Sequence, residues 1–342
     1  MNNNHWTPDN YLKQLYSETV TKHHQQYDGR RQLLKSQFIK AIGLPQQIGG
    51  EPVSFKLLEE KELDEYIRQR VEVKITDYIR IPVYVLYPKE PNEKETKGSA
   101  VLALHGHGYG SKEIVGLHAD GSENLDEPGI HKNFAIDLVR KGFIVVCPEL
   151  VGFGERKLKK DSEESSHTDN SCYTLASQLL LFGQTLAGLR VFECMRVIDF
   201  MMTLKGVNHQ RVGCMGFSGG GLVAVYTSII DERINATIIS GYTNTFQGSI
   251  MARKHCLDNY IPSILNLAEM PELIGLIAPR PLFVEAGVKD ELFPNNHVKT
   301  AIDKLERTYK EMGSLHAFDH EVFDGGHEVS GKKSYDWLKR VL

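Results

Sequence analysis

The chain has 342 residues, of which 41% are hydrophobic and 25% charged, and its formal net charge at pH 7 is −4. This length supplies a core for one large α/β domain or for two smaller ones. The slightly acidic balance gives no electrostatic reason to expect nucleic acid as a partner.

The termini, the apolar runs and the cysteines indicate a location. The N-terminal stretch MNNNHWTPDN contains no apolar segment typical of a secretory signal, and no run of about 18 apolar residues occurs, so we expect neither secretion nor a membrane span. The five cysteines include no C-x-x-C pair, which is typical of core or loop thiols in a reducing compartment. These features predict a cytoplasmic protein.

Residues 1–60 are predicted to form a helical N-terminal extension. Apolar residues recur there at helical spacing, as in Leu12 with Tyr16 and Leu34 with Phe38. We expect this extension either to cap the sheet or to build a subunit contact in a homo-oligomer.

From Tyr66 the hydrophobic period changes to two, which predicts two antiparallel strands with a turn near Thr76. Because proline cannot donate a hydrogen bond to a ladder, Pro82 indicates that this pair forms an edge of the sheet.

Five apolar runs without alternation follow, as expected of parallel strands covered on both faces. They are Ala100–Leu104, Phe143–Cys147, Val212–Met215, Ala236–Ser240 and Pro281–Glu285. Helical segments separate them, and a last strand precedes a C-terminal helix. This order predicts a doubly wound, mostly parallel α/β sheet within a domain spanning residues 61–342. Ligands of such sheets bind at the carboxyl ends of the strands.

A G-x-S-x-G motif, Gly216 to Gly220, lies between one of these runs and a helical segment. A serine on a tight strand-to-helix turn has an exposed hydroxyl, and its small neighbours avoid collisions with the strand and the helix. The same turn directs the backbone N–H of Gly219 towards whatever Ser218 attacks. We interpret Ser218 as a nucleophile.

The stretch HGHGYG, from His105 to Gly110, follows the first parallel strand. Alternate glycines let the backbone approach a ligand and turn its N–H groups inward, as the second donor of an oxyanion hole requires. The alternative is a metal-binding H-x-H pair formed by His105 and His107, although no third ligand has an obvious spacing. His105, Gly108 and Tyr109 are also candidate pocket residues.

The loop PELVGFGER follows the next strand and contains the candidate pocket residues Glu149, Phe153 and Glu155. Its two glycines indicate a tight loop that is either a pocket wall or an ordinary turn, and Glu155 with Arg156 is alternatively a surface pair. Arg190 lies within a mostly apolar helix, so it needs a partner or a functional role, and we include it among the pocket candidates.

An acid and a histidine complete the pattern. Asp290 follows the strand that ends at Glu285, where a serine hydrolase of this architecture places the carboxylate that orients its histidine; the adjacent Glu291 remains an alternative. His327 stands on a glycine turn after the last strand, so the chain order is Ser, Asp, His.

Over residues 65–342 the sequence resembles the α/β-hydrolase superfamily and is similar to its acetyl xylan esterase and dienelactone hydrolase-like branch. The motifs that carry the resemblance are LALHGHGYG, CPELVGFGER, GCMGFSGGG, APRPLFVEAGVKDELFP and FDGGHE. The resemblance implies Ser218 as nucleophile, His327 as base and Asp290 as its orienting acid. It also implies that His107 and Gly219 supply oxyanion N–H groups. The helical N-terminus is not part of the common fold.

These observations predict a serine esterase that forms an acyl-enzyme on a small-molecule ester, with a short acyl group such as the acetate of an acetylated sugar. This mechanism requires neither a metal nor an organic cofactor, and we expect no nucleic acid or membrane partner. The alternatives are a serine peptidase of the prolyl oligopeptidase kind, another acyl-transfer enzyme, and a non-catalytic binding protein on the same fold. Contacts of the Asp258-Asn259-Tyr260 stretch with substrate are not predictable from the sequence.

Overall fold

The computed structural model of the protein describes residues 7–24, 31–45, 52–89, 98–163 and 169–342, which form an α/β fold around one nine-stranded sheet. The strands are β1 Ser54–Glu62, β2 Tyr66–Lys74, β3 Arg80–Pro88, β4 Ala100–Leu104, β5 Ile144–Pro148, β6 Val212–Phe217, β7 Ala236–Ser240, β8 Leu282–Gly287 and β9 Phe318–Phe323. The α-helices are α1 Asp9–His24, α2 Arg31–Ala41, α3 Phe134–Arg140, α4 Cys172–Leu180, α5 Leu186–Met201, α6 Gly219–Ile230, α7 Ile264–Leu267, α8 Met270–Ile274, α9 Asn295–Glu311 and α10 Ser334–Val341.

The strand order across the sheet is β1-β2-β3-β5-β4-β6-β7-β8-β9. Strands β4 to β9 run parallel to one another, whereas β1, β2 and β3 are antiparallel and join the sheet through β5. The predicted doubly wound, mostly parallel sheet with an antiparallel N-terminal edge is confirmed.

Both faces of the sheet are covered, which explains why its central strands are apolar throughout. In β4, Leu102 and Leu104 enter the core shared with α5, α6 and α9, while Val101 and Ala103 enter the core shared with α3 and α10. With its faces covered, the sheet offers a ligand the carboxyl ends of its strands.

The described part of the N-terminal segment is only partly helical, which corrects the prediction for residues 1–60; residues 1–6, 25–30 and 46–51 lie outside the described residues. Helices α1 and α2 form as expected, but Ser54–Glu62 forms β1, the outer strand of the sheet. The sequence SFKLLEEKE shows no alternation because almost all of β1 is exposed. Pairing with β2 makes it a strand, and that pairing is not visible in the local pattern.

Pro82 is not at an edge, contrary to expectation. It lies in β3, between β2 and β5, and its carbonyl accepts a hydrogen bond from the backbone N–H of Glu149 at 3.0 Å. Glu149 is the first residue after β5, so Pro82 occupies the end of the β3–β5 ladder. Because the β3–β5 ladder ends at Pro82, the backbone N–H that proline lacks removes no hydrogen bond from within that ladder.

The two N-terminal helices pack on the main body of the same chain. The Tyr16 hydroxyl in α1 donates to Glu269 Oε1 at 2.8 Å. Arg31 at the start of α2 donates to the carbonyl oxygens of Gly275 and Leu276 at 2.8 and 2.6 Å. These contacts favour the capping alternative for the extension, while the homo-oligomer stays a prediction. None of the described helices combines the length and the apolar character needed to cross a membrane.

Candidate active site

Three polar side chains from three loops meet at the carboxyl edge of the sheet. Ser218 follows β6, Asp290 follows β8 and His327 follows β9. Ser218 Oγ lies 2.8 Å from His327 Nε2, and His327 Nδ1 lies 2.7 Å from Asp290 Oδ2. In the tautomer whose Nδ1 carries the proton, the serine hydroxyl donates to the ring and the ring donates to the carboxylate.

The turn that carries Ser218 is strained, as the motif predicts. Ser218 has φ 53° and ψ −119°, a conformation that non-glycine residues rarely adopt. A Cβ on Gly216 would lie 2.1 Å from the carbonyl oxygen of Gly220, and a Cβ on Gly220 would lie 2.2 Å from that of Leu104. Glycine at both positions lets β4, β6 and α6 approach closely enough to hold the serine in this turn.

The structure distinguishes the two candidate acids. Asp290 is buried, and its Oδ1 accepts hydrogen bonds from the backbone N–H groups of Leu292 and Phe293 at 2.8 and 3.0 Å while Oδ2 faces His327. Glu291 is exposed. The backbone bonds fix the Asp290 carboxylate in its orientation, so Asp290 is the acid positioned to orient the histidine.

Aromatic rings enclose the imidazole of His327. Its centroid lies 4.9 Å from that of Phe217 and 5.7 Å from that of Phe293, whose ring stacks on it with an interplanar angle of 18°. The side chain of His327 is only 17% exposed. Restricted access of water strengthens the hydrogen bonds at both ring nitrogens.

His107 and Gly219, the candidate oxyanion donors, face each other. Gly219 is the first residue of α6, where backbone N–H groups have no partner within the helix. A Cβ on Gly219 would lie 2.9 Å from the His107 ring. The His107 ring thus lies beside the N-terminus of α6, next to Ser218, and the role of the two backbone N–H groups as oxyanion donors stays a prediction.

Two buried histidines hold the HGHG loop in place. The N–H of Gly106 donates to His131 Nε2 at 3.0 Å, and the N–H of Leu150 donates to His105 Nε2 at 3.1 Å. Burial is the main cause that lowers the pKa of His131, and the carboxylate of Glu113, 3.0 Å from Nδ1, opposes it. The neutral form of His131 is thus favoured, as it must be to accept a backbone hydrogen bond. His131 is not predictable from the sequence, because α3 and its preceding turn carry no motif.

A cavity of about 250 Å³ opens at Ser218. Its other lining residues are His107, Ile130, Gly219, Tyr242, Lys254, His255, Cys256, Asn259, Leu292, Phe293 and His327. Within the stretch Asp258-Asn259-Tyr260, whose contacts are not predictable from the sequence, Asn259 lines this cavity. Tyr260 lines a separate apolar groove that also includes Asn259, and Asp258 pairs with Arg190.

None of the seven candidate pocket residues lines this cavity. His105 is fully buried beneath the loop, and Gly108 lies against the carboxylate of Glu113. Tyr109 turns away, because its hydroxyl donates to the carbonyl oxygen of Leu117 at 2.9 Å. These residues shape the HGHG loop from behind, since a loop that presents backbone N–H groups to a ligand turns its side chains elsewhere.

The other four candidate pocket residues lie either in the interior behind the cavity or at the protein surface. They are Glu149, Phe153, Glu155 and Arg190. Glu149 is buried and accepts hydrogen bonds from the backbone and hydroxyl of Ser111, at 3.1 and 2.8 Å. Glu155 forms the surface-pair alternative, although its partner is Arg70 and not Arg156. Phe153 and Arg190 form a second layer behind the cavity. The ring of Phe153 packs 5.0 Å from that of His107, and the Arg190 guanidinium lies 4.8 Å above Phe153.

Among the described residues, one cluster has a composition suited to a metal ion. A ring nitrogen of His107 and the sulfur atoms of Cys172 and Cys256 lie within 4.8 Å of one another. His105 takes no part, so the H-x-H alternative does not form. The pairing of the two cysteines is not predictable from the sequence, because they lie 84 positions apart along the chain.

Comparisons with known proteins agree with this fold. The Abhydrolase family model matches residues 10–307. "Putative hydrolase YtaP" of Bacillus subtilis (strain 168) is 27% identical over 86% of this chain and 92% of its own length.

Two solved structures share the architecture at low identity. A "putative acetyl xylan esterase" from Bacteroides fragilis NCTC 9343 superposes with a TM-score of 0.69 at 17% identity, covering 91% of this chain and 81% of its own. A glucuronoyl esterase from Solibacter usitatus superposes with a TM-score of 0.64 at 12% identity, covering 92% and 91%. Identities this low establish a common fold, the α/β-hydrolase fold, and not a common substrate.

Proposed function

We propose that this chain, which belongs to the Abhydrolase family, is a serine esterase that cleaves carboxylic esters through an acyl-enzyme. The single observation that carries the proposal is the continuous hydrogen-bonded row Ser218–His327–Asp290, with its serine on a strained turn at the N-terminus of α6. The fold of two solved esterases supports the same reaction class.

Acylation begins at Ser218. Its Oγ attacks the ester carbonyl carbon while His327 Nε2 removes the hydroxyl proton, and the negatively charged Asp290 stabilises the imidazolium that forms. The carbonyl oxygen becomes an oxyanion that accepts hydrogen bonds from the N–H groups of His107 and Gly219. Collapse of this intermediate breaks the bond to the alcohol oxygen, which leaves with the proton held on Nε2.

Deacylation repeats the chemistry with water. His327, neutral again, removes a proton from water as the water oxygen attacks the acyl carbon. The second tetrahedral intermediate uses the same two N–H groups, and its collapse returns the proton to Ser218 Oγ and releases the carboxylic acid. Asp290 keeps the ring in the productive tautomer throughout both halves of the reaction.

The cavity favours a short acyl group. Its volume of about 250 Å³ is bounded by the aromatic side chains of Tyr242 and Phe293, which leave little room for a long chain beside Ser218. Lys254, His255 and Asn259 provide polar groups suited to a hydroxylated alcohol portion. We include acetylated sugars among the proposed substrates on this basis.

The experiment is turnover of p-nitrophenyl esters of increasing acyl length, followed by a panel of acetylated sugars, with the Ser218→Ala protein as the blank. We expect kcat/KM to be greatest for acetate or propionate and to fall by at least about tenfold at octanoate, a difference near 1.4 kcal/mol. A preference for the long chain would overturn the short-acyl proposal. No turnover of any ester above the blank would overturn the esterase proposal.

A further inference from the structure

Two of the five cysteines lie next to each other behind the proposed catalytic cavity. Cys172 is the first residue of α4, and Cys256 directly precedes the short 3-10 helix Leu257–Asn259. Their sulfur atoms and a ring nitrogen of His107 lie within 4.8 Å of one another. Cys172 is 2% exposed, whereas Cys256 is partly exposed and lines the cavity. A small molecule that enters the cavity therefore meets Cys256, and the sulfur of Cys172 lies within 4.8 Å of that of Cys256.

A buried cation contacts one sulfur of the pair. The Nη2 of Arg190, a side chain with no exposed surface, lies 3.1 Å from Cys172 Sγ, and its Nη1 pairs with Asp258. The position of Cys172 at the start of α4 adds the positive end of the helix dipole. These two contacts explain the buried arginine of α5, since Arg190 balances one carboxylate and faces one thiol.

These contacts favour a thiolate at Cys172. The hydrogen bond from Cys256 and the charge of Arg190 lower the pKa of the Cys172 thiol against the effect of burial, while the same hydrogen bond and burial raise the pKa of Cys256. The contact with Arg190 thus favours Cys172 as the sulfur of the pair that carries negative charge. The other three cysteines differ, because burial is the main cause that raises the pKa of Cys147, Cys194 and Cys214.

We propose that Cys172 and Cys256 are a redox-active thiol pair that hydrogen peroxide converts to a disulfide. Peroxide is the class of oxidant that fits, because Cys172 lies next to Cys256, which lines the cavity, and a bulky disulfide cannot approach a sulfur as buried as that of Cys172.

The reaction has two balanced steps. The Cys172 thiolate attacks one peroxide oxygen, so an S–O bond forms, the O–O bond breaks, and the departing hydroxide takes a proton to become water. Cys256, on losing its proton, then attacks the oxidised sulfur; an S–S bond forms, the S–O bond breaks and the second oxygen leaves as water. Two thiols are oxidised and one peroxide is reduced to two waters.

Oxidation should also change the cavity, a consequence that rests on the proposed function. Cys256 and His107 both line the cavity, and the backbone of His107 is a candidate oxyanion donor. A disulfide draws Cys256 towards Cys172 and removes the thiolate that the His107 ring contacts. We expect kcat for ester hydrolysis to fall reversibly by at least about threefold, near 0.65 kcal/mol of barrier.

Binding of a zinc ion is the alternative role for Cys172, Cys256 and His107. Two cysteines and one histidine are suitable zinc ligands. The permanent positive charge of Arg190, 3.1 Å from Cys172 Sγ, opposes a divalent cation at that sulfur. We therefore favour the thiol pair, and metal content becomes one outcome of the test.

The test is peptide mapping of the full chain, which requires no activity. Protein treated with a small excess of hydrogen peroxide is unfolded in the presence of an alkylating reagent and digested without reduction. We expect one cross-linked peptide joining Cys172 to Cys256, its loss after treatment with dithiothreitol, and alkylation of the other three cysteines as internal controls. A different cross-link, or five alkylated cysteines, would overturn the proposal.

Two further measurements complete the design. In Cys256→Ser, which removes the second thiol, dimedone should label Cys172 after peroxide treatment; labelling of another cysteine would contradict the assigned nucleophile. Stoichiometric zinc in the purified protein that blocks alkylation of both thiols would overturn the redox assignment in favour of a metal site. If the cross-link forms while no ester is hydrolysed, the thiol pair stands and the proposed esterase function fails.

Discussion

Two groups of polar side chains lie at the carboxyl edge of the sheet, and they differ in how they are connected. In the row Ser218–His327–Asp290, each side chain bonds the next, and the serine end lines an open cavity. Behind the HGHG loop, His131 and Glu149 accept hydrogen bonds from the backbone N–H groups of Gly106 and Ser111. The proposed function assigns proton transfer to the first group, whereas the second holds a loop.

Within one site, the row is therefore proposed to carry out the reaction, whereas His131 and Glu149 hold the loop in place. Replacing Ser218 should abolish turnover with little effect on stability, because its side chain makes one hydrogen bond, to His327. A substitution behind the loop should leave a buried backbone N–H without a partner and act on stability and on turnover together.

Ser218→Ala should reduce kcat by roughly 10⁴- to 10⁶-fold, since members of such a row act as a unit. The protein should keep its circular dichroism spectrum and its Tm, because the Ser218 side chain makes one hydrogen bond, to His327. Retention of more than a few per cent of the wild-type rate, with contaminating esterases removed, would make Ser218 a structural residue.

Asp290→Asn should reduce kcat by about 10⁴-fold at neutral pH, because the amide lacks the charge that stabilises the imidazolium and favours the wrong tautomer. Glu291→Gln is the matched control on the same turn and should cost less than about tenfold. The reverse ranking, with both proteins folded, would assign the orienting carboxylate to Glu291.

His131→Ala should lower both Tm and kcat, because Gly106 loses the acceptor of its N–H and a buried ring is removed. The expected loss of unfolding free energy is about 1–3 kcal/mol for the unpaired donor alone. KM should change less than kcat, since the oxyanion forms only after binding. His131→Gln, whose side-chain oxygen can accept the same N–H, should restore part of the rate. A loss of Tm without a loss of kcat would limit His131 to a structural role.

The smallest effect is a pH dependence of stability. Burial lowers the pKa of His131 and of His255 in the folded chain. The unfolded chain therefore takes up these protons first, near its ordinary pKa of about 6.5, and the free energy of unfolding decreases as the pH falls below that value. Urea titrations between pH 7 and 5 should show this decrease, and it should be shallower in His131→Gln. If the free energy of unfolding fell equally steeply with pH in the two proteins, His131 would not contribute to the pH dependence.

The same contrast explains what the sequence could and could not predict. Ser218, Asp290 and His327 sit on turns that directly follow strands, so local motifs locate them and the parallel sheet brings the three turns together. His131, Cys172 and Cys256 reach the site through long-range packing, and no local pattern marks them.

The differences between the predicted and the observed fold also arise from contacts between segments that are distant in the sequence. Strand β1 is exposed and highly charged, so only its pairing with β2 defines it. Pro82 is tolerated in an interior strand because β5 ends beside it, which depends on the register of two distant segments. The pocket candidates failed for a related reason, since motif loops such as PELVGFGER present their backbone near the site while side chains such as Glu149 and Phe153 point into the core.

The central claim is that Ser218 forms a covalent intermediate, and active-site labelling tests it most directly. A fluorophosphonate probe should modify the protein at one position, with loss of esterase activity in proportion to labelling, and peptide mapping should place the adduct on Ser218. An adduct on another residue, or no adduct in a preparation that hydrolyses esters, would contradict the mechanism.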